Sequence, residues 1–420
     1  MVSGLLLEVV NLASVDYIRR MFRYYYTNSC SLNDSVSMID KREFGFALFE
    51  GWMLRHKQFA NQEELTSFLQ NSTPKDAYFS CAYYENPEAE MDKKNWLGAD
   101  LIFDIDADHI PTTCLKFHDQ WICSNCGFEG KGIPLDKCPI CGSEKFETHT
   151  WPCEICLLSA KEETIKLLDM LLQDFGFSEK EIRIYFSGHR GYHVHVENEA
   201  VKTLGAVARK EIVDYVLGLG IDTFLYGRKA KDQKSVMNHL LDLTNFGWMG
   251  RIAQSVCDFI FRATKEELIA IGIRRDIAES IYENKDVITK YHVKSKRLKV
   301  IKGLGPRTWR KIIKHCIEKR GVKIDTVVTT DTHRLIRMPE TLHGKTGLRK
   351  VELSFSNINI FDPFKDAVAF KKGEITVLVS DAPEFRIGDE TFGPYKNCKV
   401  ELPTAAALLL ICKGKAEVTN

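Results

Sequence analysis

Gly98-Ala-Asp-Leu-Ile-Phe-Asp-Ile-Asp106, followed by Ala107 and Asp108, is the stretch on which the reading of this 420-residue chain turns. It reads as a short buried strand ending in acids. Side chains along a strand alternate between faces, so Asp104 and Asp106 share one face while Phe103 and Ile105 enter the other. Like charges this close are costly unless a cation neutralises them, and oxygen ligands favour hard divalent ions such as Mg²⁺ or Mn²⁺. A calcium loop of the helix-loop-helix type needs Gly at its sixth position and Glu at its twelfth, where this chain has His109 and Leu115. A solvated strand end is the plain alternative.

Outward from the acids, Val15 to Leu69 has mostly helical spacing, and Lys161 to Phe175 is amphipathic with Ile165, Leu168, Leu171 and Leu172 on one side. Ile182 to Ser187 and Tyr192 to Val196 read as strands joined by the turn Ser187-Gly-His-Arg-Gly191. Residues 205 to 320 are largely helical in pattern. Strands return after Ile324, at Thr326-Val-Val-Thr329, Val351 to Phe355 and Ile375 to Val379. The expected class is therefore α/β (α+β), one module resuming after a helical insertion.

With 44% hydrophobic and 27% charged residues, the chain is neither disordered nor low-complexity. Its longest apolar runs, such as Ala405 to Cys412, are far short of the roughly 20 residues of a membrane span. No signal pattern opens the chain, and an intracellular protein without a membrane partner is expected. The net charge is +1, yet Lys290 to Arg320 holds 12 Lys and Arg against the single acid Glu318. That segment suits a polyanion or a solvated helical face.

Seven of the 13 cysteines fall between Cys114 and Cys156, which reads as metal binding and not as disulfides. Cys123-Ser-Asn-Cys126-Gly and Cys138-Pro-Ile-Cys141-Gly form two knuckles whose four thiolates suit a closed, structural Zn²⁺ site. Cys153-Glu-Ile-Cys156 is a third knuckle, which Cys114 and His118 complete as a second zinc site; His149 competes with His118. Two further clusters carry phosphate-compatible donors. One is Ser187, Arg190 and His193 around Gly188 and Gly191, and the other is Leu342-His-Gly-Lys-Thr-Gly347, preceded by Arg334 and Arg337.

Taken in order, Arg42-Glu-Phe-Gly-Phe46, Phe103-Asp-Ile-Asp106, Ser187 to His193 and Leu342 to Gly347 resemble the small catalytic subunit of archaeal and eukaryotic DNA primase, most closely the archaeal members. Gly247-Trp-Met-Gly-Arg251 and Phe361 to Ala369 extend the resemblance to most of the chain, from about residue 15 to 410. It implies a primase-type core with an RNA-recognition-like sheet, formed by 1–204 and 321–420, with a zinc-binding insertion at 114–156 and a helical subdomain at 205–320. It further implies template-directed nucleotidyl transfer from ribo- or deoxyribonucleoside triphosphates on single-stranded DNA, a heterodimer with a large subunit bearing an iron-sulfur cluster, and a cytoplasmic, nucleoid-associated location.

Motif by motif, the resemblance makes Asp104, Asp106 and Asp325 ligands of Mg²⁺ or Mn²⁺, with Asp331 a rival to Asp325. It gives the incoming triphosphate Ser187, Arg190, His193, Arg337 and His343, and by motif Arg42 and Lys345. Cys114, His118, Cys153 and Cys156 take the family-like zinc site, and the Cys123 to Cys141 ribbon is an addition. Ile301 to Arg307 resembles the hairpin of helix-hairpin-helix modules. A primase-polymerase of repair or plasmid replication is an alternative within the same chemistry, and a non-catalytic zinc-bearing nucleic-acid-binding protein is one from another class.

Overall fold

The computed structural model describes residues 2–32, 35–222, 243–295 and 305–419. They divide into two compact units, one of Met1–Glu162, Glu179–Arg209 and Ile324–Asn420, the other of Glu163–Ser178 and Lys210–Lys323. The fold is mixed α/β with several antiparallel sheets. No described helix is long and apolar enough to cross a membrane.

The sheet that matters for the site has four strands: β1 (Leu101–Asp106), β2 (Ile182–Phe186), β3 (Gly191–Val196) and β4 (Val351–Leu353). Their order is β4-β2-β3-β1, antiparallel throughout. Every residue of β3 is buried, as its central place requires. Along β1, Leu101, Ile102, Phe103 and Ile105 are buried while Asp104 and Asp106 are half-buried, so the alternation expected from the sequence is present. Gly191 faces Asp106 and His193 faces Asp104 across the β3–β1 pair.

A second four-stranded sheet joins Phe44–Ala47, Met53–Lys57, Asp76–Ser80 and Leu335–Arg337. The region from Val15 to Leu69 is thus less helical than its spacing suggests. Helices Val2–Asn28 and Gln62–Ser72 flank a β-hairpin, because Phe44 and Phe46 pack on the Phe59 ring at 5.2 and 6.1 Å. A second departure is Thr326–Thr330, whose β-branched residues read as a strand and which forms a short helix. The Asp325 carboxylate accepts the Val327 amide at 2.9 Å and caps that helix, a local bond that overrides strand propensity.

The described part of the other unit is built from helices, among them Gly247–Arg262, Arg275–Ser295 and Pro306–Arg320. Trp309, Ile312, Ile313, Cys316 and Ile317 form the buried stripe of the last, leaving Arg307, Lys311, Lys314 and Lys319 exposed. Residues 296–304, within the cationic segment and the hairpin-like stretch, lie outside the described residues.

Candidate active site and zinc sites

Asp325 reaches the acid strand through the backbone: its amide donates to the Asp104 carbonyl at 2.8 Å, which anchors the Thr326–Thr330 helix on β1. Burial first, then the neighbouring Asp106 and Asp325, push the Asp104 carboxyl up to about 7. Asp106 is also raised, by burial, although Arg190 and His109 oppose the shift. Asp104 and Asp106, which resist ionisation, together with Asp325 beside Asp104 form a site that favours a positive charge. Asp331 lies at the opposite end of the same helix, where its carboxylate accepts the His333 amide.

Beside the acids stands His193, its Nε2 3.5 Å from the Asp104 carboxylate. Burial, with Lys350 and Arg337 nearby, holds the ring well below its ordinary range, so it is neutral. Its Nδ1 is buried without a hydrogen-bond partner among the described residues.

The two glycine-bearing turns meet. Thr346 Oγ1 donates to the Gly188 carbonyl at 2.5 Å, and the His189 and His343 rings stack at 4.9 Å. Gly188 has φ +84°, and a Cβ there would press on His343 at 3.1 Å. Ser187 Oγ accepts the amides of His189 and Gly191 at 3.3 and 3.2 Å, leaving its hydroxyl proton to donate outward. Arg337 ion-pairs with Asp76, which also accepts the Gly344 amide at 2.7 Å. The exposed Lys345 shares the second turn. His343 is held neutral by burial and by Arg337.

Like Arg337, two more of the expected triphosphate donors have acid partners. Arg190 donates to Asp119 at 2.7 and 3.0 Å and also pairs with Asp108. Arg42 is fully buried, bonded to Asp100 at 2.6 Å, to Tyr83 Oη at 2.7 Å and to the Ser80 carbonyl at 2.7 Å. It ties the start of the Phe44–Ala47 strand to the residue before β1 and presents nothing to a phosphate.

The cysteines gather as two tetrads, Cys114–His118–Cys153–Cys156 and Cys123–Cys126–Cys138–Cys141, each with ligand atoms within 4.8 Å of one another. Cys114 and Cys156 sulfurs are 3.4 Å apart, and the Cys153–Cys114, Cys123–Cys141 and Cys126–Cys138 pairs 3.6 Å. A zinc tetrahedron with bonds of about 2.3 Å has edges of about 3.8 Å, so both tetrads can hold zinc. His149 stands outside them, 3.7 Å from Glu147. The tetrad histidine is tied to the first glycine turn: His118 Nδ1 lies 2.7 Å from Asp119, the partner of Arg190. Asp119 was invisible to sequence reasoning, since an acid next to a histidine carries no signal until the chain folds Arg190 onto it.

The model of the DNA primase small subunit family matches residues 149–355. The DNA primase small subunit PriS of Nitrosopumilus maritimus is 31% identical over 97% of this chain and 100% of its own length. Those of Methanothrix thermoacetophila and Thermoplasma acidophilum are 34% and 32% identical, covering 96% and 94% of this chain and 98% and 97% of theirs. The chain belongs to the DNA primase small subunit family. Its relatives in that family include the archaeal PriS proteins.

Proposed function

We propose that the chain is the catalytic subunit of a DNA primase, joining ribonucleotides, and to some extent deoxyribonucleotides, on a single-stranded DNA template. The observation that carries this reading is a division of charge within one site. Crowded acids, Asp104, Asp106 and Asp325, stand beside phosphate-compatible donors, His193, Ser187, His343 and Lys345. A divalent cation together with a triphosphate satisfies both halves, and the β4-β2-β3-β1 sheet stands for the RNA-recognition-like core of the family.

Asp104, Asp106 and Asp325 would hold Mg²⁺ or Mn²⁺, which when bound would make the attacking 3′-hydroxyl more acidic and offset the negative charge of the triphosphate. The Ser187 hydroxyl and the neutral His193 and His343 donate hydrogen bonds to phosphate oxygens, and Lys345 adds a full charge where negative charge gathers on the leaving group. Arg190, held by Asp119, fixes the turn and adds to the same field; Arg337 fixes Gly344 through Asp76. Arg42 has no part in this beyond supporting the strand ahead of the acids. Zinc at the two tetrads is structural, being enclosed by four protein ligands each. A large subunit completes the enzyme in this reading.

Incubation with single-stranded template, labelled ATP or dATP and Mg²⁺ or Mn²⁺, without primer, tests the proposal. Template-dependent products are expected, with ATP preferred. Preference for dATP would favour the primase-polymerase reading, and no incorporation with either would favour a binding protein.

A further inference from the structure

Two adjoining cavities of about 790 and 480 Å³ share Lys131, His149, Lys413 and Lys415 in their linings and form one continuous trough. One wall is the ribbon sheet of Gln120–Cys123, Glu129–Lys131 and Phe146–His149; the other is the chain leaving the Thr404–Cys412 helix. Lys345 of the second glycine turn stands at one end, so the trough begins at the candidate active site.

Six lysines line it: Lys75, Lys131, Lys345, Lys396, Lys413 and Lys415. The carboxylates lining it are Glu147, which sits 3.7 Å from His149, Asp381 and, in the second cavity, Glu129. Among the described residues none of the six lysines is ion-paired with a carboxylate. Lys413 instead donates to the Thr150 carbonyl at 2.8 Å and lies 2.7 Å from His189 Nε2. Burial, then Arg190 and Lys345, pull its ammonium down to about 7. Phe117, which also lines the trough, is 74% exposed, with the Lys116 ammonium 5.1 Å from its ring centre. Lysines that follow a backbone beside an open aromatic ring are the two parts of a single-strand groove, the ring serving any base by stacking.

We propose that this trough binds the phosphates of a single nucleic-acid strand passing the active site, with a base stacked on Phe117. The inference rests on the reading of the chain as an enzyme of single-stranded templates. It gives the ribbon zinc a role, which is to hold the sheet that carries Lys131. A free triphosphate alone is the lesser fit, since the trough runs on past Lys345 into the second cavity along the ribbon sheet, with Lys131 and Lys415 in both linings.

The test is equilibrium binding of a labelled oligothymidylate to the full chain, without nucleotide, across a salt series. Lys131→Ala with Lys415→Ala is expected to weaken binding roughly tenfold at low salt and to lessen the salt slope by about 1.4, taking ~0.7 per contact. Lys131→Arg with Lys415→Arg should bind as the parent does, and Phe117→Ala should weaken binding without changing the slope. Lys396→Ala with Lys415→Ala leaves the ribbon untouched and should repeat the loss, which guards against a misfolded ribbon. Unchanged affinity and slope in both alanine pairs would overturn the proposal, as would a raised KM for ATP with unchanged strand affinity. A chain that bound the strand through these lysines but incorporated nothing would overturn the primase reading and leave the trough standing.

Discussion

Gly191 faces Asp106 so closely that a Cβ there would lie 2.2 Å from the Ile105 carbonyl oxygen. Gly191→Ala should therefore push β3 from β1, costing about 2 kcal/mol or more in thermal unfolding and abolishing incorporation. Asp104→Asn, Asp106→Asn and Asp325→Asn should each cut incorporation by orders of magnitude while zinc content and strand binding persist. Asp331→Asn, at the far end of the same short helix, should stay active; an essential Asp331 with a dispensable Asp325 would reverse that assignment. Asp119→Asn keeps the shape but removes the charge that holds Arg190, so KM for the nucleotide should rise roughly tenfold with both zinc ions retained. The acids on β1 were legible because strand periodicity alone puts Asp104 and Asp106 on one face. Asp119, Lys350 and Lys413 were not, because their meaning lies in contacts made by residues distant in sequence. The enclosure of Arg42 was hidden for the same reason: a motif names a side chain and says nothing of what the fold wraps around it.

At the scale of elements, turns read more truly than propensities. The β2–β3 hairpin follows from two short apolar runs around Ser187 to Gly191, and its register sets His193 opposite Asp104. The Thr326–Thr330 helix was misread because five β-branched residues outweigh, on paper, one capping aspartate. CxxC spacing marked the cysteine-rich insertion from sequence, and the choice of His118 over His149 had to wait for the fold, which turns His149 toward Glu147. Metal analysis should find two zinc ions per chain. Cys123→Ser with Cys126→Ser should lower that to one and leave a folded chain. Cys114→Ser with Cys156→Ser should cost more, in both stability and nucleotide affinity, because His118 shares Asp119 with Arg190. Equal tolerance of the two double variants would break the link drawn between the first tetrad and the first glycine turn.

Over the whole molecule, a net charge of +1 conceals an acid cluster and a trough whose six lysines have no carboxylate ion-pair partner among the described residues. This arrangement trades stability for binding, and the acids make the trade measurable. The folded chain holds the Asp104 proton up to about 7, whereas the unfolded chain releases it near 4. Between those values the unfolded state binds fewer protons, so without divalent ions this group makes stability fall as pH rises from about 4 to 7 and then level off. Mg²⁺ or Mn²⁺, binding the folded carboxylates, should restore what is lost, and more so at pH 8 than at pH 6, where the proton competes. Thermal unfolding of the full chain with and without Mn²⁺ reads both effects. Asp104→Asn should raise the metal-free stability at pH 8 by on the order of 1 kcal/mol, while removing most of the stabilisation by the ion. The same increment from Mn²⁺ in parent and variant would mean that the ion binds elsewhere, and the division of charge that carries the catalytic reading would lose its acid half.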